Sequence, residues 1–334
     1  MNKQGAFAWL AAAMFAAACQ ISAGDAAKDA PTGQATQAIS ARGSLPDAYE
    51  LSIPWGGPQG FTLRQAESES VAYGPNAVAV AADGSSLILD RLAGRIARVS
   101  PSGGVSTFAA VAVDTEDLVA GAESVVAFSP VRARAIFFDG AGTSVGELAV
   151  PRELREITRL SLAPSRRLVA HTGFQESLEL GSPSAPMALE VTLAGKREGS
   201  YRLPDGMGVA VRAIGGRAEL LVMRQREGSA RSQVERSFTL GGEVTAGRVI
   251  GGSGSTVCVR TERVRSLPQI EVSRRIVCLD ATDGSARLSL VLPPPGIYQP
   301  RTEAAIAAGR LSFIVATESG LLLHNRRIDG EVAP

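Results

Sequence analysis

The sequence predicts an all-β protein: a single six-bladed β-propeller closed by an N-terminal strand inserted into the last blade. Three observations carry that expectation. Six stretches repeat one pattern, an apolar alternating run, a polar or glycine-containing turn and a second apolar run. They are residues 77–90 (AVAVAADGSSLILD), 124–139 (SVVAFSPVRARAIFFD), 159–172 (RLSLAPSRRLVAHT), 208–223 (GVAVRAIGGRAELLVM), 247–261 (GRVIGGSGSTVCVRT) and 304–317 (AAIAAGRLSFIVAT). Their starts lie 35 to 57 residues apart, bracketing the roughly 40–50 residues of a four-stranded propeller blade. Composition agrees, with 45% apolar but only 5% aromatic residues, 36 Gly and 18 Pro, as many short strands joined by tight turns require. Finally, the sixth repeat runs out of chain after residues 321–330 (LLLHNRRIDG), where its outer strand is due, while residues 48–54 (AYELSIP) form an orphan strand near the N-terminus. Such a strand completes the last blade and pairs an otherwise open sheet edge. The long intervals after Arg159 and Gly247 leave room for irregular elements, so a seventh blade stays open at this point.

Taken in order, residues 1–18 read as an export signal. Lys3 is followed by an uncharged run of about 14 residues up to Ala18, too short to span a bilayer as a helix and suited to a signal peptide. The end of that run, Ala16-Ala17-Ala18-Cys19, resembles a bacterial lipobox, although Ala16 stands where Leu is favoured. The resemblance implies that Cys19 is diacylated and becomes the mature N-terminus, and Gln20 after it implies sorting to the outer membrane. The same Ala-x-Ala also suits ordinary signal peptidase cleavage, which would give a soluble periplasmic or secreted protein. Residues 19–46, rich in Ala, Gly, Ser, Thr, Gln and Asp without apolar periodicity, read as a flexible tether. Residues 47–334 make up the propeller domain.

Within each blade a third strand, a turn and a fourth strand follow the repeat. Residues 95–108 (RIARVSPSGGVSTF), 189–203 (LEVTLAGKREGSYRL) and 275–292 (RIVCLDATDGSARLSLVL) carry this hairpin signal. Blade one, with Pro75-Asn76-Ala77-Val78, Asp83-Gly84, Leu87-Ile88-Leu89-Asp90 and Arg95-Ile96, resembles an NHL-type repeat, which implies a propeller without implying an activity. Cys258 and Cys278 lie in strand-like runs equidistant from Pro268. A hairpin centred there sets them opposite each other, about 4.5–5.5 Å apart at Cα, inside the disulfide window. A cross-strand disulfide is expected in an oxidising compartment, with two buried thiols as the alternative.

Charge narrows the function. There are 34 Lys+Arg against 33 Asp+Glu, and no basic stretch is interleaved with aromatics, so nucleic acid is excluded as a partner. The segments that lead into the inner strands converge on one mouth of a propeller channel. They offer Asn76, Glu123, Thr158 with Arg159, Asp205, Thr245 and Glu303, and several oxygen donors together suit Ca2+ or another divalent cation. The segment Leu203-Pro204-Asp205-Gly206-Met207 and the pair Pro75-Asn76 are similar to metal-binding segments of gluconolactonase-type six-bladed lactonases. That resemblance implies Asp205 and Asn76 as ligands, with Glu123 or Glu303 completing the site, although the order of ligands along the blades differs. Asp-Gly and Asn beside Pro are also ordinary turn formers.

Other chemistry is weakly signalled. His171 and His324 each end an apolar run and read as surface or capped residues; no Ser/His/Asp arrangement is legible, and residues 251–255 (GGSGS) read as a hairpin turn. Long loops at 173–186, 225–234 and 262–273 decorate the ring, where recognition commonly sits. Arg260, Arg263, Arg265, Arg274 and Arg275 mark the third as a surface for acidic protein or glycan groups. The expected function is therefore a monomeric, exported, lipid-anchored, non-catalytic scaffold for an envelope protein or glycan. The alternative is a metal-dependent lactonase or related hydrolase at the channel mouth.

Overall fold

Alternation along short apolar runs gives each strand two buried faces, one for each neighbouring blade, and the structure, a computed structural model, arranges these runs as a ring. It describes residues 46–328 apart from 68–70, 155–156, 164, 174, 226–231, 266–269 and 295. The export signal, Cys19 and nearly all of the tether lie outside the described residues. After β1 (Ala48–Pro54), blade 1 is β2 (Ala77–Val80), β3 (Ser86–Asp90), β4 (Arg95–Val99) and β5 (Val105–Ala110). Blade 2 is β6 (Asp117–Ala120), β7 (Val125–Ser129), β8 (Arg134–Phe138) and β9 (Ser144–Ala149). Blade 3 contains β10 (Ile157–Leu162), β11 (Leu168–Thr172), β12 (Glu176–Ser182) and the two-residue β13 (Ala185–Pro186), then a helix α1 (Leu189–Ala194) and β14 (Arg197–Glu198), which returns to pair with β12. Blade 4 is β15 (Tyr201–Arg202), β16 (Gly208–Ile214), β17 (Arg217–Gln225) and β18 (Ser232–Thr239). Blade 5 is β19 (Ala246–Ser253), β20 (Thr256–Arg265), β21 (Glu271–Asp280) and β22 (Ala286–Leu292), and blade 6 opens with β23 (Ala304–Ala307), β24 (Arg310–Ala316) and β25 (Gly320–Arg327).

The ring closes as expected from residues 48–54. All seven residues of β1 pair antiparallel with β25, from Ala48 opposite Arg326 to Pro54 opposite Gly320. There are six blades. Cys258 and Cys278 stand opposite each other on β20 and β21 and form a disulfide. That register makes the hairpin symmetrical about Pro268, which itself falls outside the described residues.

Two expectations are corrected between residues 173 and 208. The stretch 173–186 is mostly strand, β12 and β13, rather than a decorating loop, and residues 189–203 do not form a hairpin. Their apolar residues belong to α1, while Tyr201 and Arg202 form the inner strand of blade 4. The repeats at 124–139 and 208–223 are the second and third strands of their blades, one position further out than the other four. Short turns with aligned apolar flanks look alike wherever in a blade they fall, so the pattern carries no label for strand order.

Five interfaces between blades are filled by apolar clusters. Ile53, Val78, Ile88, Ile314 and Leu323 join blades 6 and 1; the remaining clusters join 1 to 2, 2 to 3, 4 to 5 and 5 to 6. No described apolar cluster joins blade 3 to blade 4. On blade 4 the face opposite Val209 and Val211 offers only Ala210, Leu221 and Met223, and on blade 3 the face opposite Leu160 carries Arg159, Ser161 and His171. This polar seam is held by hydrogen bonds. The Gln175 side chain donates to the Val211 carbonyl at 2.7 Å and accepts from the Val211 amide at 2.8 Å, while the Gly199 amide donates to the Gln175 carbonyl at 2.7 Å.

Candidate functional site

The inner strands surround a cavity of about 600 Å3 that runs through the channel and along the seam of blades 3 and 4. A second cavity of about 280 Å3 shares Arg159, His171, Ile250, Thr302 and Ala304 with it. Glycine makes the wall possible. Gly251, at φ 148°, sits at a register shift in β19, and a Cβ on Gly252 would lie 2.6 Å from the Tyr201 ring. These two glycines, expected in a hairpin tip, are strand residues that leave room for Tyr201 on the channel wall.

Arg301 stands at the mouth where the inner strands begin and lines the second cavity. Its guanidinium donates to Glu116 Oε2 at 2.9 Å and to the Ile157 carbonyl at 2.9 Å, tying together the starts of blades 2 and 3. Asp117 lies behind it, 1% exposed, with Oδ1 accepting from Thr302 Oγ1 at 2.7 Å and from the Leu118 amide at 2.9 Å, and with Oδ2 buried without a partner. Burial pushes its carboxyl above the usual carboxylate range.

Arg159 and Ser161 point to the same side of β10, and His171 stands opposite Arg159 on β11. Ser161 Oγ and His171 Nε2 are 2.6 Å apart. Burial, reinforced by the nearby Arg159 and Arg202 guanidiniums, holds His171 well below the ordinary imidazole range, so the ring is neutral at pH 7. Its Nδ1 is buried and has no partner. Arg159 donates to the Ser200 carbonyl, and Arg202 donates through Nη1 to the Gly206 carbonyl at 3.0 Å, leaving its Nη2 buried without a partner. Burial brings each guanidinium down to about 10. The arrangement offers a small polar ligand several unused donors in a desolvated, cationic wall.

The residues expected to bind metal are not gathered into one site. Asn76 donates to the Glu116 carbonyl and accepts from the Arg301 amide, which makes it a peg between inner strands. Glu123 forms a surface ion pair with Arg166. Asp205 Oδ1 accepts from the Met207 amide at 3.1 Å inside its own turn. Glu303, 4% exposed, is held by Arg260 and by Arg274 at 2.7 Å. Glu123 and the turn of Asp205 lie at the mouth where the inner strands end, whereas Asn76 and Glu303 lie at the mouth where they begin. Among the described residues no three His, Cys, Asp or Glu side chains form a metal-holding group, so these oxygens do not fit a divalent cation.

The arginines expected to form a partner surface divide in the same way. Arg260 and Arg274 are 8% and 5% exposed, turned inward onto Glu303, and are closed to a partner. Arg263 pairs with Glu243 at 2.5 Å. Arg265 and Arg275 remain on the exposed side of the hairpin. Reading the sequence missed Asp117, Ser161, His171 and Arg202 as a group because they come from three blades. The signal available for His171 was alternation: it shares a face with Val169, and that face is polar where a regular blade would be apolar.

No known family profile matches this chain, and no curated protein matches it. Solved structures similar in fold include a gluconolactonase from Xanthomonas campestris, 14% identical, covering 83% of this chain and 97% of that one with a TM-score of 0.45. A virginiamycin B lyase from Staphylococcus aureus is 10% identical over 84% of this chain and 99% of its own, with a TM-score of 0.44. A PQQ-bound aldose sugar dehydrogenase from Streptomyces coelicolor is 13% identical over 81% and 99%, with a TM-score of 0.42. The likeness lies in the course of the chain, and at such identity none of these proteins brings its activity with it.

Proposed function

We propose that this protein is an exported, non-catalytic binding propeller that takes a small molecule, or the end of a glycan chain, in its central channel. The observation that carries this reading is the coincidence of the cavity of about 600 Å3 with the blade interface that lacks an apolar cluster. A structural seam without function would be filled, since unpaired buried polar groups cost on the order of 1–3 kcal/mol each, and pockets with a few convergent polar groups are the usual form of a ligand site. Export rests on residues 1–18 and anchoring on Cys19, as read from the sequence. The long blade 5 hairpin supports a protein partner less well than the channel supports a small one, because its Arg260 and Arg274 are spent internally. The test is a thermal-shift screen of sugars, glycan fragments and organic acids against the mature protein and Ala307→Trp, which fills the channel mouth. Ligands that raise the melting temperature of the first and not the second support the proposal. Ligands insensitive to Ala307→Trp, or a screen with no binder, would refute it.

A further inference from the structure

We propose that the seam between blades 3 and 4 is an oxyanion site, and that the ligand of the channel presents a carboxylate or phosphate group to Arg159, Arg202 and His171; this rests on the reading of the channel as a small-molecule site. The geometry begins with charge. Arg159, Arg166, Arg202, Arg248 and Arg301 line the two cavities, and the carboxylates that line them are Glu123, paired with Arg166, and Asp117, whose Oδ1 is occupied by Thr302 and Leu118; Arg301 is paired with Glu116. Arg248 stands 3.9 Å from Glu303, a carboxylate already held by Arg260 and Arg274. Neither Arg159 nor Arg202 has an ion-pair partner among the described residues, and both donate only to backbone carbonyls. Arg159 feels Asp117 only at a distance and Arg202 has no carboxylate in ion-pair contact, so these two guanidiniums in a desolvated wall leave a positive deficit that an incoming anion relieves.

Donor placement supplies the second, independent point. His171 is 3% exposed, lines both cavities and has Nδ1 without a partner. When Ser161 Oγ donates to Nε2, the proton of the neutral ring sits on Nδ1, which then becomes a donor. Arg202 Nη2 is a further buried donor without a partner. Guanidinium forks match the planar, paired oxygens of carboxylate and the oxygens of phosphate, whereas a neutral sugar hydroxyl would leave the charge unrelieved. Burial holds His171 down first and the two arginines add to it; an anion bound here offsets the arginines and accepts from the ring, so binding draws the imidazole pKa upward.

Calorimetry on the intact mature protein tests this with inorganic phosphate, acetate and glucose at constant ionic strength, chloride being the balancing salt. Saturable binding of phosphate or acetate, weakened at least tenfold in both Arg202→Gln and Arg159→Gln, is expected, and whichever anion binds identifies the group. Folding of the variants is checked by circular dichroism. A measurement on the unaltered protein stands beside it: the His171 imidazole signals in NMR should titrate at a higher pH when the anion is present. An anion effect unchanged in both variants, or a His171 titration that does not move, would overturn the oxyanion site. Binding of glucose alone, abolished by Ala307→Trp, would overturn it while leaving the channel reading intact; binding of no small molecule would remove both.

Discussion

Ile53→Ala tests the closure of the ring through one side chain. Ile53 is 3% exposed on β1, opposite Leu321, and packs among Phe61, Ile314, Ala316 and Leu323 in the cluster that joins blades 6 and 1. Truncating a buried Ile to Ala costs about 2–5 kcal/mol, the transfer free energy of the lost methyl and methylene groups plus the cavity they leave. In a domain of this size each kcal/mol moves the melting temperature by about 2 °C, so the transition should fall by roughly 4–10 °C. Ser52, the exposed neighbour on the other face of β1, provides the control: Ser52→Ala should stay within about 0.5 kcal/mol of the parent. Differential scanning calorimetry reads both. Releasing β1 also bares the edge of β25, so Ile53→Ala should aggregate more steeply with concentration than the parent. If Ile53→Ala melts within about 1 °C of the parent, or Ser52→Ala falls as far, β1 does not close the ring by packing.

Other consequences follow from the same contacts. Replacing Cys258 and Cys278 together by Ala releases a cross-link with a sequence separation of 20 and should lower stability by about 3 kcal/mol, read by chemical denaturation; an unchanged midpoint would contradict it. Glu303→Ala leaves Arg260 and Arg274 buried without their shared carboxylate and should cost about 3–5 kcal/mol, whereas Glu123→Ala, which loses only a surface pair, should cost under about 1 kcal/mol. Burial depresses both His171 and His324. The unfolded chain therefore binds more protons than the folded one just below the ordinary imidazole pKa. The stability these residues contribute is present above about pH 6.5 and is lost as the pH falls toward their folded values, so melting temperature should drop between pH 7 and 5 and His171→Gln should flatten that drop. Cys19→Ser should move the protein from the membrane fraction to the soluble one, and an unmodified Cys19 in the mass spectrum of the mature N-terminus would remove the lipid anchor.

Much of the ring was legible because it rests on local pattern. The six repeats, the orphan strand at 48–54 and the spacing of Cys258 and Cys278 about Pro268 each reflect a period-two rule that strand geometry imposes directly. The site was far less legible. Asp117, Arg159, Ser161, His171 and Arg202 come from three blades, and what unites them is the closing of a ring, which no short window contains. The glycines at 251 and 252 looked like a turn because turns and close strand approaches demand the same missing Cβ. Arg260 and Arg274 looked like a docking surface because sequence shows the charge of a hairpin but not the direction in which a residue two positions from its neighbour turns.

The failures of local pattern fall in one place. Between residues 186 and 208 a regular blade would continue with its outer strand and cross to a full inner strand, and here the chain instead spends α1, β14 and a two-residue β15. This inner strand has two residues where β10 has six, and Arg159 and Ser161 stand on β10, Arg159 reaching the Ser200 carbonyl just before β15. The amide and carbonyl groups left over are satisfied across the seam, by Gln175 on Val211 and by Arg159 on Ser200, so the gap is supported rather than collapsed. Local rules broken with compensation nearby are where functional or strained positions are found. On β11 the face toward this space carries Val169 and His171, the latter with Nδ1 still unpaired.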